Sequence, residues 1–165
     1  IVESIKDLYW DVRPKPEFGT VEIRVCDTPL TIERATALAA LAQSLSRWLL
    51  RSRPELHFDR QVHVARFNKF QACRFGTKAM IADPVAATRQ TLETQLATLF
   101  EIVRADAREL GCERWLEQLL PVAAGQDSDA GWLRTKHAEH GNLNDVVCEA
   151  ASRWMLSNGN AESVR

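Results

Sequence analysis

Residues 10–31 read WDVRPKPEFGTVEIRVCDTPLT, and their alternation decides the fold. Side chains point to opposite sides along a strand, so Tyr9, Asp11 and Arg13 share one face while Leu8, Trp10 and Val12 share the other. In the second run Thr20, Glu22 and Arg24 oppose Val21, Ile23 and Val25. Two strands, at residues 7–13 and 19–26, are therefore expected, each with one apolar and one charged face. The register that brings both apolar faces together, with PKPEFG as the connection, pairs Arg13 with Thr20, Asp11 with Glu22 and Tyr9 with Arg24. It sets two carboxylates directly opposite each other, which is unfavourable unless the arginines or a bound metal lie close by. The charged face thus has two readings. It is either a solvated surface of cross-strand ion pairs, or the floor of a cleft in which oxygen ligands hold Mg²⁺ and guanidiniums hold phosphate or carboxylate oxygens.

Outward from this hairpin the period changes from two to that of a helix. A long amphipathic helix is expected from Thr31 to about Arg51, with Thr31 as N-cap, Glu33 in the first turn, and RSRP closing it ahead of Pro54. A second helix is expected over 59–75, stopping at Gly76. After a loop at ADPVAA (82–87), further helices are expected at 91–110, 112–124, 128–139 and 143–155. The tail SNGNAESVR, 157–165, reads as frayed and disordered. No repeat or linker divides residues 1–165, so a single α+β domain is expected, with about two strands and a mostly helical C-terminal part. An isolated hairpin is marginal, so further strands are expected from elsewhere. The sequence also opens at Ile1 with no initiator methionine, which gives the expectation of the C-terminal part of a longer protein.

Composition sets the outer bounds. The chain is 45% hydrophobic and 26% charged, enough apolar material for a core. Lys plus Arg number 21 and Asp plus Glu 22, a net charge of -1, which disfavours broad attraction to nucleic acid or an anionic membrane. Cys26, Cys73, Cys112 and Cys148 form neither a C-x-x-C pair nor a zinc pattern. They read as free thiols in a reducing cytoplasm, Cys73 as a buried one. The longest apolar stretch, ATALAALAQSLSRWLL, is too short and too polar to span a bilayer. His57, His63, His137 and His140 lack metal-ligand spacing, and Trp48, Trp115, Trp132 and Trp154 fit helix packing.

The segment DLYWDVRPKPEFGTVEIRVCDTPLT, followed by a long helix and then RFNKFQACRFG, resembles the C-terminal half of the bacterial carboxylate-amine ligases. These type 2 glutamate-cysteine ligases belong to the glutamine synthetase and glutamate-cysteine ligase superfamily. The resemblance covers residues 5–83. W-D-x-R-P joined to F-G-T-x-E-x-R-x-x-D-T-P in one hairpin is specific, where a bare E-x-R is not.

The resemblance implies a glutamine synthetase-like antiparallel sheet and an ATP-dependent ligase. The γ-phosphoryl group of ATP would pass to a carboxylate, such as the γ-carboxylate of glutamate, and an amine such as cysteine would attack the acyl phosphate to form an amide. By motif position Glu22 is implied as a Mg²⁺ ligand, and Arg24 as the group holding the transferring phosphate or the substrate carboxylate. Arg13 is implied as a phosphate contact, with Asp11 either orienting Arg13 or reaching metal through water. In RFNKFQACRFG, Asn68 and Arg74 are implied as lining the nucleotide site. The bland alternative makes Arg74 a helix C-terminal cap and Asn68 a surface residue. Family members are about twice as long, and their N-terminal half carries an E-x-E strand with further metal carboxylates. None of it lies in these residues, so the chain is expected to be inactive without that half, its principal partner beside further copies of itself. The competing reading is a non-catalytic helical interaction domain derived from such a ligase.

Overall fold

The computed structural model describes residues 11–55 and 58–161. Strands β1 (Val12–Lys15) and β2 (Thr20–Ile23) form an antiparallel hairpin, and helix α1 (Ile32–Ser52) follows. Helix α2 (Phe58–Phe75) leads through a 3₁₀ turn at Gly76–Lys78 into a second antiparallel hairpin, β3 (Met80–Asp83) with β4 (Thr88–Thr91). Helices α3 (Leu92–Glu109), α4 (Glu113–Glu117), α5 (Leu120–Ala123), α6 (Asp129–His140) and α7 (Leu143–Ala161) complete the order. The α+β class expected from the sequence holds.

Three helix starts follow their caps. Thr31, Thr91 and Ser128 each accept a hydrogen bond from the backbone N–H three residues on, which satisfies one of the donors a helix N-terminus leaves open. The core lies where α1 meets α3. Ala37, Ala40 and Ser44 recur along one face of α1, and their small side chains admit Phe100, Val103 and Ala107 of α3. The Ser44 hydroxyl, fully buried, donates to the Ala40 carbonyl at 2.7 Å. Cys112, Leu116, Leu119 and Ala123 close the cluster, with Trp48 and Trp115 packed against it. Asp106 is also buried in this interface, hydrogen-bonded to Arg51 at 2.8 Å and 3.5 Å from Arg47 Nε. The pair of arginines on the last turns of α1 is thereby locked to α3.

Four sequence expectations need correction. The segment 112–124 is two short helices, because Pro121 has no N–H for an α-helical bond and the chain tightens through bonds such as Leu119 N–H to Leu116 O. The supposed loop at 82–87 holds the end of β3 and the turn of a hairpin: Asp83 Oδ1 accepts from the N–H groups of Val85 and Ala86 at 2.8 and 3.0 Å, and this side-chain turn reverses the chain between β3 and β4. Strand structure therefore does not end with β2, and the second hairpin is a sheet of its own. Cys73 is exposed, not buried. Finally, α7 runs on to Ala161, so residues 157–161 of the supposed tail are helical, and 162–165 lie outside the described residues.

The register of β1 and β2 also differs. Arg13 lies opposite Glu22, Val12 opposite Ile23, Pro14 opposite Val21 and Lys15 opposite Thr20. The connection is only Pro16 to Gly19, closed by Phe18 N–H to Lys15 O at 3.0 Å, with Gly19 at φ 63° in the left-handed region that glycine tolerates. A shift of two residues keeps every side chain on its face and replaces the like-charge pair by an opposite-charge one. The expected pairing of Tyr9 with Arg24 falls outside the described residues; Arg24 N–H donates instead to the Asp11 carbonyl at 2.7 Å. Val12, Val21, Ile23 and Val25 on the apolar face stay exposed.

Candidate functional site

The charged face of the first hairpin gathers four of the six residues singled out from the sequence. Glu22 stands at its centre. Arg13, directly across, donates to Glu22 Oε2 through Nε at 2.9 Å and Nη2 at 2.6 Å. Arg24, two residues along the same strand and so on the same face, brings Nε to 3.8 Å from Oε1. Lys15, diagonal to Glu22 across the pair of strands, places Nζ 3.9 Å from Oε2. The Arg13 hydrogen bond, with added attraction from Arg13, Lys15 and Arg24, holds the Glu22 carboxyl below its usual pKa of 4.5 against the opposing effect of desolvation.

Asp11 lies on this face too, but it turns to α2, where Lys69 Nζ is 2.5 Å from Oδ1. The face thus carries Arg13, Lys15, Arg24 and Lys69 against the carboxylates of Asp11 and Glu22. Among the described residues no group of three or more His, Cys, Asp or Glu side chains is placed to hold a metal ion. The donor set does not fit a Mg²⁺ site by itself, because each carboxylate is already neutralised by at least one cation. What the face suits chemically is an oxyanion, since guanidinium and ammonium donors converge on one carboxylate.

The two residues implied from α2 are not brought to this face. Asn68 points instead to the second hairpin. Its Nδ2 donates to Ala82 O at 2.8 Å and its Oδ1 accepts from Ala82 N–H at 2.9 Å, so the side-chain amide takes the place of a neighbouring strand at the edge of β3. Arg74 is five residues beyond Lys69, about 140° round the helix, and its guanidinium lies over the Phe75 ring at 5.6 Å. Sequence reasoning missed Lys15 and Lys69. Lys15 carried a legible signal, its spacing of two from Arg13, hidden because it fell within the supposed connection PKPEFG. Lys69 had none, because its role depends on how α2 docks. Of the histidines in the described residues, His63 is exposed and His140 pairs with Glu149 at 2.7 Å.

The description "Glutamate-cysteine ligase family 2" belongs to the family model that matches residues 1–149. The chain is a member of glutamate-cysteine ligase family 2. A protein of Dechloromonas aromatica named "Putative glutamate--cysteine ligase 2" is 65% identical over 158 residues, which cover 96% of this chain and 41% of that protein. Proteins of the same name from Ralstonia pickettii and Janthinobacterium are 44% and 45% identical, covering 93% and 94% of this chain and 41% and 42% of theirs. The chain therefore spans about two fifths of the length of these family relatives. Among the described residues no helix is long and apolar enough to cross a membrane.

Proposed function

We propose that this chain supplies the C-terminal part of an ATP-dependent carboxylate-amine ligase of the glutamate-cysteine ligase type. The observation that carries the reading is the convergence of Arg13 and Arg24 on Glu22 at the centre of a cationic strand face, in a chain whose family model is of that name. In the proposed reaction a carboxylate oxygen of glutamate, or of a similar acid, attacks the γ-phosphorus of ATP and ADP leaves. An amine such as cysteine then attacks the acyl phosphate carbon, phosphate departs and the nitrogen gives up a proton. Charge builds on the non-bridging oxygens, and guanidiniums fixed on a strand stabilise it without reorganising at the moment of transfer.

Within this reading Arg24 and Arg13 hold the transferring group and the substrate carboxylate. Glu22 would be one ligand of a divalent cation accompanying ATP, and Asp11 an indirect one, in a set completed by residues outside those described. Asn68 and Arg74 are proposed at the nucleotide end, Asn68 through the hairpin it holds. The active species is the chain together with the N-terminal half of the enzyme, as a cytoplasmic homo-oligomer; by itself the chain is inactive. The test is ATP turnover by the complete enzyme with glutamate and candidate amines. Glu22→Gln and Arg24→Ala are expected to abolish it while leaving the circular dichroism spectrum unchanged.

The close Arg13–Glu22 pair also suits the second reading, a non-catalytic interaction domain whose charged hairpin only forms ion pairs. On that reading the same variants leave turnover intact and weaken folding by about 0.2 to 1 kcal/mol, the worth of a cross-strand charge pair.

A further inference from the structure

The cations around Glu22 are less exposed than the carboxylate they hold. Side chains of Arg13, Lys15 and Arg24 are 13%, 23% and 24% exposed, and that of Glu22 is 38% exposed. Glu22 is therefore the side chain of the four most open to solvent, and so to an arriving anion. Lys15 is the least committed of the three. Its Nζ stands 3.9 Å from Glu22 and 4.0 Å from Glu17, beyond hydrogen-bond distance of either, although the ammonium has three donors to offer. Lysine binds phosphate as a point charge, and Lys15 is fixed by a strand beside the guanidinium fork of Arg13.

We propose that Arg13, Lys15 and Arg24 form a cradle for phosphate oxygens in which the Glu22 carboxylate is a built-in occupant, displaced when a phosphate-bearing ligand arrives, and that Lys15 is the third phosphate contact. The occupant class rests on the ligase reading; the cradle rests on the geometry of the hairpin. Glu22 then has an effect opposite to that of a residue needed only for ligand binding. While it is present it competes with the incoming anion, and it keeps the cations ordered in the absence of ligand.

The experiment is calorimetric titration of the complete enzyme with inorganic pyrophosphate at low salt in a metal-chelating buffer. Removing one partially exposed charge contact is expected to change affinity by about two- to fivefold. Lys15→Ala is expected to weaken binding by that factor and Lys15→Arg to restore it. Glu22→Gln is expected to tighten binding by a similar factor, although it removes a polar partner from the face. Loss of affinity in Glu22→Gln, equal affinity of Lys15→Ala and wild type, or no pyrophosphate binding by enzyme with the expected helical spectrum would each overturn the cradle. ATP turnover by the complete enzyme carrying Glu22→Gln separates the two proposals. Normal turnover beside the expected pyrophosphate pattern rejects the place that the ligase reading gives Glu22 and supports the cradle. Abolished turnover beside any of the overturning patterns rejects the cradle and supports the ligase.

Discussion

Replacing Asn68 by alanine tests how α2 holds the second hairpin. The Asn68 amide makes two hydrogen bonds, at 2.8 and 2.9 Å, to the carbonyl and N–H of Ala82. Both are partly buried, so water can replace them only in part. At about 0.5 to 1.5 kcal/mol net for each bond, Asn68→Ala should cost about 1 to 3 kcal/mol. For a domain of this size that corresponds to a fall in Tm of about 2 to 4 °C per kcal/mol. Asn68→Asp sharpens the test. An ionised aspartate still accepts from the Ala82 N–H but presents a second oxygen, not a donor, to the Ala82 carbonyl. It should be at least as destabilising as alanine at pH 7, and should recover below about pH 4, where the protonated acid can donate again. Urea unfolding followed by circular dichroism reads both. A change within about 0.5 kcal/mol for Asn68→Ala, the range of an ordinary surface substitution, would refute the bridging role and return Asn68 to the surface.

Other outcomes follow from the same geometry. Asp106→Ala removes a buried carboxylate and leaves Arg51 and Arg47, whose side chains are 61% and 41% exposed and can rehydrate; a loss of about 1.5 to 3 kcal/mol, the worth of a charge-assisted hydrogen bond, is expected by urea denaturation. Because the Arg13 hydrogen bond lowers the Glu22 pKa below 4.5, the stabilisation it brings is complete above the unfolded carboxylate value and disappears as pH falls through the lower folded one. Carbon-detected NMR titration should place the Glu22 midpoint below 4.5, and Arg13→Ala should move it up; an unmoved midpoint would show that the pair does not form in solution.

Much of this arrangement was legible because local chemistry and tertiary packing agree. Thr31 as a cap, the small residues of α1 and the two faces of the first hairpin all follow from side-chain type and period. The family motif drew attention to Asp11, Arg13, Glu22 and Arg24, and these do lie on one face. The register was misread because PKPEFG was taken whole as the connection, although Pro14 sits opposite Val21 and Lys15 opposite Thr20 within the ladder. The short strands MIAD and TRQT carry too little alternation to be told from loop, and β3 is completed by an amide from another element, a partner that no local pattern announces. Lys15 and Lys69 escaped for a related reason: a lysine gains a role from what the chain places beside it.

The exposed valines and isoleucine of the first hairpin have a practical consequence. A short two-stranded ribbon with Val12, Val21 and Ile23 open to solvent is the sort of surface through which chains stick edge to edge at high concentration. The charged side chains of its opposite face discourage stacking there but not on the valine side. Production of this chain should therefore yield soluble material most readily when a covering polypeptide is made in the same cell, and purification by itself should enrich aggregates whose amount rises with salt.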